Sequence, residues 1–146
     1  MDEILYSESF VIEGNDFEHG GDAAAKVKSV LRQFGINPDA VRRLSIANFE
    51  AEMNVIMYAR RGEMLLEVMP RFVRVTLADE GQGIPDIDLA MQEGYSTATP
   101  EMRQRGFGAG LGLPNIKRNS DRFEISSTPG KGTTLRYEVD LEKAEG

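Results

Sequence analysis

An α+β fold is what this sequence predicts, on three observations. Helix-spaced apolar residues run through 17–60, two pairs of strand-like runs follow at 63–78 and 121–140, and one further strand opens the chain at 4–12. At 146 residues the chain suits one domain, 1–146, whose core would bury roughly two-thirds of the unfolded surface.

The first run, Ile4 to Ile12, partly alternates and is rich in β-branched and aromatic residues, which predicts an edge strand. From Phe17 to Phe34, the apolar residues Ala24, Val27, Val30, Leu31 and Phe34 recur at spacings of three and four, an amphipathic helix that Gly35 closes. Gly20-Gly21 leaves its start open. Asn37-Pro38 supplies a cap and first residue for a second helix reaching about Arg60, where Arg60-Arg61 and Gly62 suit a C-terminal end. Strands at 63–69 and 71–78 are separated by Pro70, which belongs in a turn, and the second delivers Asp79 at its end. Glycines and prolines cluster over 79–108, the mark of a long irregular segment of the kind that is usually functional or mobile. A third helix is expected from Gly108–Gly110 to about Asn119. Strands at 121–127 and 133–140 are then joined by Thr128-Pro129-Gly130-Lys131-Gly132 as a hairpin.

Composition removes several function classes. With 24 Asp+Glu against 17 Lys+Arg the net charge is -7, which disfavours binding to nucleic-acid phosphates. There is no cysteine, so disulfides, thiolate metal sites and Cys nucleophiles are excluded, and the single His19 makes no metal cluster. Nothing approaches the ~18 apolar residues of a membrane span. Met1-Asp2-Glu3 opens no basic-then-apolar leader, so a cytoplasmic location is expected.

The chemistry lies in three separated elements. Glu50 and Asn54 are four apart and share one helix face, so they can address one ligand. A carboxamide oxygen is a hard donor suited to Mg²⁺, and a neighbouring carboxylate can deprotonate a nucleophile. Glu52 lies about 200° round the helix from Glu50, away from that face. Asp79-Glu80-Gly81-Gln82-Gly83 sets a carboxylate beside open backbone at a strand end, where it can accept from an exocyclic amine such as that of adenine. An ordinary strand-to-loop turn would use the same residue types. Gly106-Phe107-Gly108-Ala109-Gly110-Leu111-Gly112 precedes a helix, so free backbone N–H groups can cradle an anion there, with Arg103, Arg105 and Lys117 near in sequence. Gly130-Lys131-Gly132-Thr133 has the wrong order for a Walker loop, and the late, every-second-residue glycines do not make a dinucleotide fingerprint.

In their order, Glu50-x-x-x-Asn54, Asp79-x-Gly81-x-Gly83, Gly106-x-Gly108-x-Gly110-Leu111-Gly112 and Gly132-Thr133-Thr134 resemble the GHKL ATP-binding superfamily, across nearly the whole chain. The compact size and short lid resemble its anti-sigma-factor serine/threonine kinases. The resemblance implies a two-layer sandwich of Bergerat type, a mixed, mostly antiparallel sheet with helices on one face. It implies ATP and Mg²⁺, with Asn54 holding the metal, Glu50 as general base, Asp79 on the adenine amine, and Gly81 and Gly83 admitting the base. Gly106, Gly108, Gly110, Leu111 and Gly112 would wrap the phosphates with Arg105 beside them, and Thr133 or Thr134 would support the adenine pocket. The implied partners are an anti-anti-sigma (STAS-type) protein phosphorylated on serine, a sigma factor, and a second copy in a homodimer, without direct nucleic-acid or membrane contact.

Many family members carry a His just after the Asn54 motif, whereas Val55-Ile56-Met57-Tyr58 has none. A non-catalytic, ATP-gated interaction module remains the alternative. The catalytic half of a histidine kinase is disfavoured, because no separate helical segment bears a phospho-acceptor His.

Overall fold

The computed structural model describes residues 3–81, 87, 91–92 and 112–142. The described elements are, in order, β1 (Tyr6–Glu13), a 3₁₀ turn (Phe17–His19), α1 (Asp22–Gln33), α2 (Pro38–Tyr58), β2 (Ala59–Val68), β3 (Phe72–Gly81), α3 (Gly112–Arg118), β4 (Arg122–Thr128) and β5 (Gly132–Asp140). The strands form one five-stranded sheet in the order β1-β2-β3-β5-β4, with β1 at an edge as expected. The resemblance led us to expect a mixed, mostly antiparallel sheet; every pairing among the described strands is antiparallel.

Period-two patterning gives this sheet its two faces. Met64, Leu66 and Val68 of β2, Val73, Val75 and Leu77 of β3, and Leu135, Tyr137 and Val139 of β5 are buried on one face, and the helices cover it. The opposite face carries a cross-strand row in register, Glu67, Arg74, Glu138 and Arg122. Arg74 bridges Glu67 at 3.0 Å and Glu138 at 3.5 Å, Arg122 pairs with Glu138, and the Arg122 guanidinium sits 5.3 Å over the Phe72 ring.

The central helix is α2, which packs on α1, α3 and strands β1, β2, β3 and β5. Asn37 caps it by accepting the Ala40 N–H at 2.8 Å, and Pro38 is its first residue, as the sequence predicts. It ends at Tyr58, two residues before the expected Arg60. Arg61 and Gly62 are already paired with Glu80 and Asp79 of β3, and Gly62 gives Val55 of α2 close access to β2. Ladder pairing, together with the poor helix propensity of glycine, wins over the C-terminal charge signal. Because β2 starts early, β3 runs on to Gly81, so Asp79 is a strand residue and not the first residue of a loop.

The first helix is also shorter than its apolar pattern, beginning at Asp22 after the 3₁₀ turn. Gly21 takes the cap position in a left-handed conformation (φ 98°) that L side chains rarely adopt. At its other end the Ile36 N–H bonds Leu31 O and the Gly35 N–H bonds Arg32 O, the expected glycine closure. Pro70 falls in the β2–β3 turn and Gly130 in the β4–β5 turn, as expected. For α3 the described part is Gly112–Arg118; the expected start at Gly108–Gly110 lies outside the described residues. No helix among the described residues is long and apolar enough to cross a membrane.

Candidate functional site

Glu50 and Asn54 stand on the face of α2 that meets α3. A Cβ placed on Gly112 would be 3.4 Å from Glu50 Oε2, 3.4 Å from Asn54 Oδ1 and 3.7 Å from Asn54 Nδ2. Both polar side chains thus converge on the backbone of the residue that closes the glycine run. The local reason is the four-residue helical spacing, which stacks the two on successive turns.

Asn115, one turn into α3, donates from Nδ2 to Glu50 Oε1 at 3.5 Å. Burial pushes the Glu50 carboxyl above the ordinary glutamate range, and the Asn115 bond partly opposes it. Sequence reasoning did not single out Asn115. Its position three residues after Gly112, on the same helix, was the available signal.

A second cluster forms where β3 and β5 lie side by side. Asp79 Oδ1 accepts the Thr133 N–H at 3.1 Å, and burial raises the Asp79 carboxyl while that bond lowers it. Gly132 sits at φ 149°, and a Cβ there would collide with the Asp79 carbonyl. The close approach of the two strands therefore depends on glycine at this position. A Cβ on Gly81 would be 3.1 Å from Asp79 Oδ1 and 3.1 Å from the Tyr58 carbonyl. Tyr58 ends the helix that carries Asn54, four residues or about 6 Å earlier along the axis, so the strand cluster adjoins the end of the helix bearing the first.

Of the residues singled out by sequence, Glu50, Asn54 and Gly112 come together, as do Asp79, Gly81 and Thr133. Gly83, Arg105, Gly106, Gly108, Gly110 and Leu111 lie outside the described residues. Among the described residues no group of three His, Cys, Asp or Glu side chains could hold a metal ion.

Glu52, set aside because it faces away, has a different task. It is buried, and its carboxylate accepts the backbone N–H groups of Gly21 and Ala23 on Oε2, each at 3.1 Å, and of Ala24 on Oε1 at 2.8 Å. These are orphan donors at the start of α1, where the helix dipole also favours negative charge. One turn earlier on α2, buried Asn48 accepts the Tyr137 hydroxyl at 2.6 Å. Burial, followed by the charge of Glu52, raises the Tyr137 phenol well above its ordinary range.

The family model for the histidine kinase-like ATPase domain matches residues 15–138. The chain is 30% identical to the serine/threonine-protein kinase RsbT of Bacillus subtilis over 113 residues, covering 75% of this chain and 79% of that protein. It is 31% identical to the anti-sigma F factor of Caldanaerobacter subterraneus subsp. tengcongensis over 119 residues, covering 78% and 80%. Among solved structures, a chain of the SiaB–SiaC complex from Pseudomonas aeruginosa superimposes with a TM-score of 0.57 at 16% identity, over 93% of this chain and 89% of that one. That likeness concerns the fold.

Proposed function

The chain belongs to the histidine kinase-like ATPase domain family, and on that premise we propose that residues 1–146 are a single ATP-binding domain acting as an anti-sigma-type serine/threonine kinase. It transfers the γ-phosphoryl group of ATP to a serine of a STAS-type anti-anti-sigma protein and also engages a sigma factor, as a cytoplasmic homodimer. The observation that carries this reading is the convergence of Glu50 and Asn54 on Gly112. The two relatives, a serine/threonine kinase and an anti-sigma factor, support the choice of substrate and partner class.

In this reading Glu50 accepts the proton of the incoming serine hydroxyl as its oxygen bonds to the γ-phosphorus and the bond to the β-phosphate oxygen breaks, releasing ADP. A carboxyl raised by burial is better matched to proton transfer near neutral pH than an ordinary glutamate. Asn115 holds Glu50 toward α3. One neutral carboxamide oxygen fits Mg²⁺, an ion that keeps several waters and takes phosphate oxygens as ligands. Asn54 would hold it, and when bound it offsets the negative charge of the phosphates.

Asp79 keeps one oxygen on the Thr133 N–H and offers the other to the adenine amine, with Gly81 leaving room beside it. Gly83 is assigned to the same base pocket. Gly106, Gly108, Gly110, Leu111 and Gly112, with Arg105, are assigned to the phosphates. Incubation with a STAS-type protein and γ-labelled ATP should label a serine of that protein. Glu50→Ala should cut the rate by at least about 100-fold, the usual scale for a general base. Transfer surviving that change removes the base assignment, and a nucleotide-dependent complex without phosphorylated product returns the non-catalytic reading.

A further inference from the structure

Asn115 of α3 stands between Glu50 and Arg118, and the order of donors and acceptors along that line is fixed from its outer end. The Arg118 guanidinium, three residues on, donates from Nη1 to Asn115 Oδ1 at 2.9 Å, and Asn115 Nδ2 reaches Glu50 Oε1 at 3.5 Å. A carboxamide is nearly symmetric in shape, so which of its ends faces a carboxylate depends on what holds the other. Every guanidinium N–H is a donor, so whatever further group Arg118 meets, the amide end on its side is the oxygen. The amide nitrogen then falls toward Glu50, which as a carboxylate only accepts. The Asn115 backbone offers no such choice, because its carbonyl takes both the N–H and the side-chain Nδ2 of Asn119, at 3.1 and 2.9 Å.

We propose that Arg118 is a positioning residue for Glu50: by holding the Asn115 oxygen it keeps the amide nitrogen turned to the carboxylate. Without Arg118 the amide can rotate half a turn about its last bond and bring its oxygen against Glu50, where two acceptors make no bond. Arg118 needs no contact with nucleotide or partner protein for this. The proposal deepens the reading of Glu50 as general base and, for its effect on transfer, rests on it. Among the described residues burial and the Asn115 bond are the influences on the Glu50 carboxyl, and no charged side chain of α1, α3 or the strands packed against α2 adds a third. The Arg118 charge therefore acts through the amide and not directly.

The test follows the Glu50 carboxyl itself, by carbon NMR of the full chain titrated with acid, the Glu50 signal being the one lost in Glu50→Gln. Arg118→Leu should move its titration midpoint upward, in the same direction as Asn115→Leu and by no more. Arg118→Gln keeps a donor at helical reach of Asn115 without the charge, and should hold the wild-type midpoint. Adding Arg118→Leu to Asn115→Leu should move it no further. In the transfer assay the Arg118→Leu rate on the acid limb should fall about two- to threefold, the scale of a hydrogen bond at the weak end of the net range, with Mg-ATP affinity unchanged.

An unmoved midpoint in Arg118→Leu would overturn the proposal. So would a further rise on the Asn115→Leu background, or a rise in Arg118→Gln equal to that in Arg118→Leu, since both mark a direct effect of charge. Should Arg118→Leu fail to fold, the wild-type chain decides: the Asn115 side-chain amide signals should follow the Glu50 midpoint, and signals indifferent to it overturn the proposal. Failure of the base reading looks different: the Arg118 variants move the midpoint as expected, while transfer survives Glu50→Ala or is absent from the wild-type protein.

Discussion

Asn54 and Asp79 would grip opposite ends of one nucleotide, so each can be removed without touching the other. Asn54→Ala takes away the metal ligand and Asp79→Asn turns an acceptor into a mixed donor and acceptor. Each should raise the Mg-ATP dissociation constant by about tenfold or more, the scale of a lost charge-assisted hydrogen bond, measured by calorimetry. Unchanged affinity in both would remove the site. Glu50 gives a pH signature. Its carboxyl is raised by burial and held back by Asn115, so the base is ionised only above a pH higher than that of an ordinary glutamate. Asn115→Leu deletes the opposing bond. The acid limb of the transfer rate should therefore move to higher pH, with the alkaline plateau little changed. Glu50 itself works against stability above the ordinary glutamate value, because its folded carboxyl prefers the neutral form. Glu50→Gln should accordingly leave the fold at neutral pH at least as stable while abolishing transfer. The placing of Glu50 and Asn54 on one helix face and of Asp79 near a strand end was legible, because helical spacing and strand patterning are local signals. Asn115 was not, since it acquires its role from Glu50, 65 residues away in the chain.

The element that organises all this is α2, which turns Glu50 and Asn54 to α3 and Glu52 to α1. Its start was readable from Asn37-Pro38. Its end was readable only to within two residues, because the charge signal of Arg60-Arg61 is local while the pairing of Arg61 with Glu80 joins residues far apart in the chain. The role of Glu52 was hidden for the same reason: its partners lie 28 to 31 residues earlier. Glu52→Ala leaves three N–H groups at the start of α1 without their acceptor, two of them in buried contacts, and also creates a small void. The expected loss is about 3 kcal/mol or more, read as a lower urea midpoint with little change in slope. A loss within about 0.5 kcal/mol, the range of ordinary surface changes, would mean that water reaches these amides in place of the carboxylate.

Across the described molecule the sheet separates two environments, a helix-covered side with the candidate site and an opposite side with alternating charges. Arg74 sits between two carboxylates there, Glu67 and Glu138, and Glu67 is nearly inaccessible to solvent. Arg74→Leu should cost about 1–3 kcal/mol, the penalty for leaving a desolvated carboxylate without its hydrogen-bonding partner. Chemical denaturation in low and high salt would check it, the loss shrinking as salt screens the unpaired acids. The antiparallel order β1-β2-β3-β5-β4 was only partly legible: the hairpins follow from Pro70 and Gly130, but the joining of β3 to β5 pairs residues far apart in the chain, from Phe72 with Asp140 to Ala78 with Thr134. The bonds at Glu52 also settle a rivalry within the chain. Glycines precede two helices in the sequence, Gly20-Gly21 before α1 and the 106–112 run leading into α3, and the first N–H groups of any helix are donors open to an anion. The first already has a permanent tenant in the protein's own carboxylate, so an incoming phosphate chain would find those N–H groups taken.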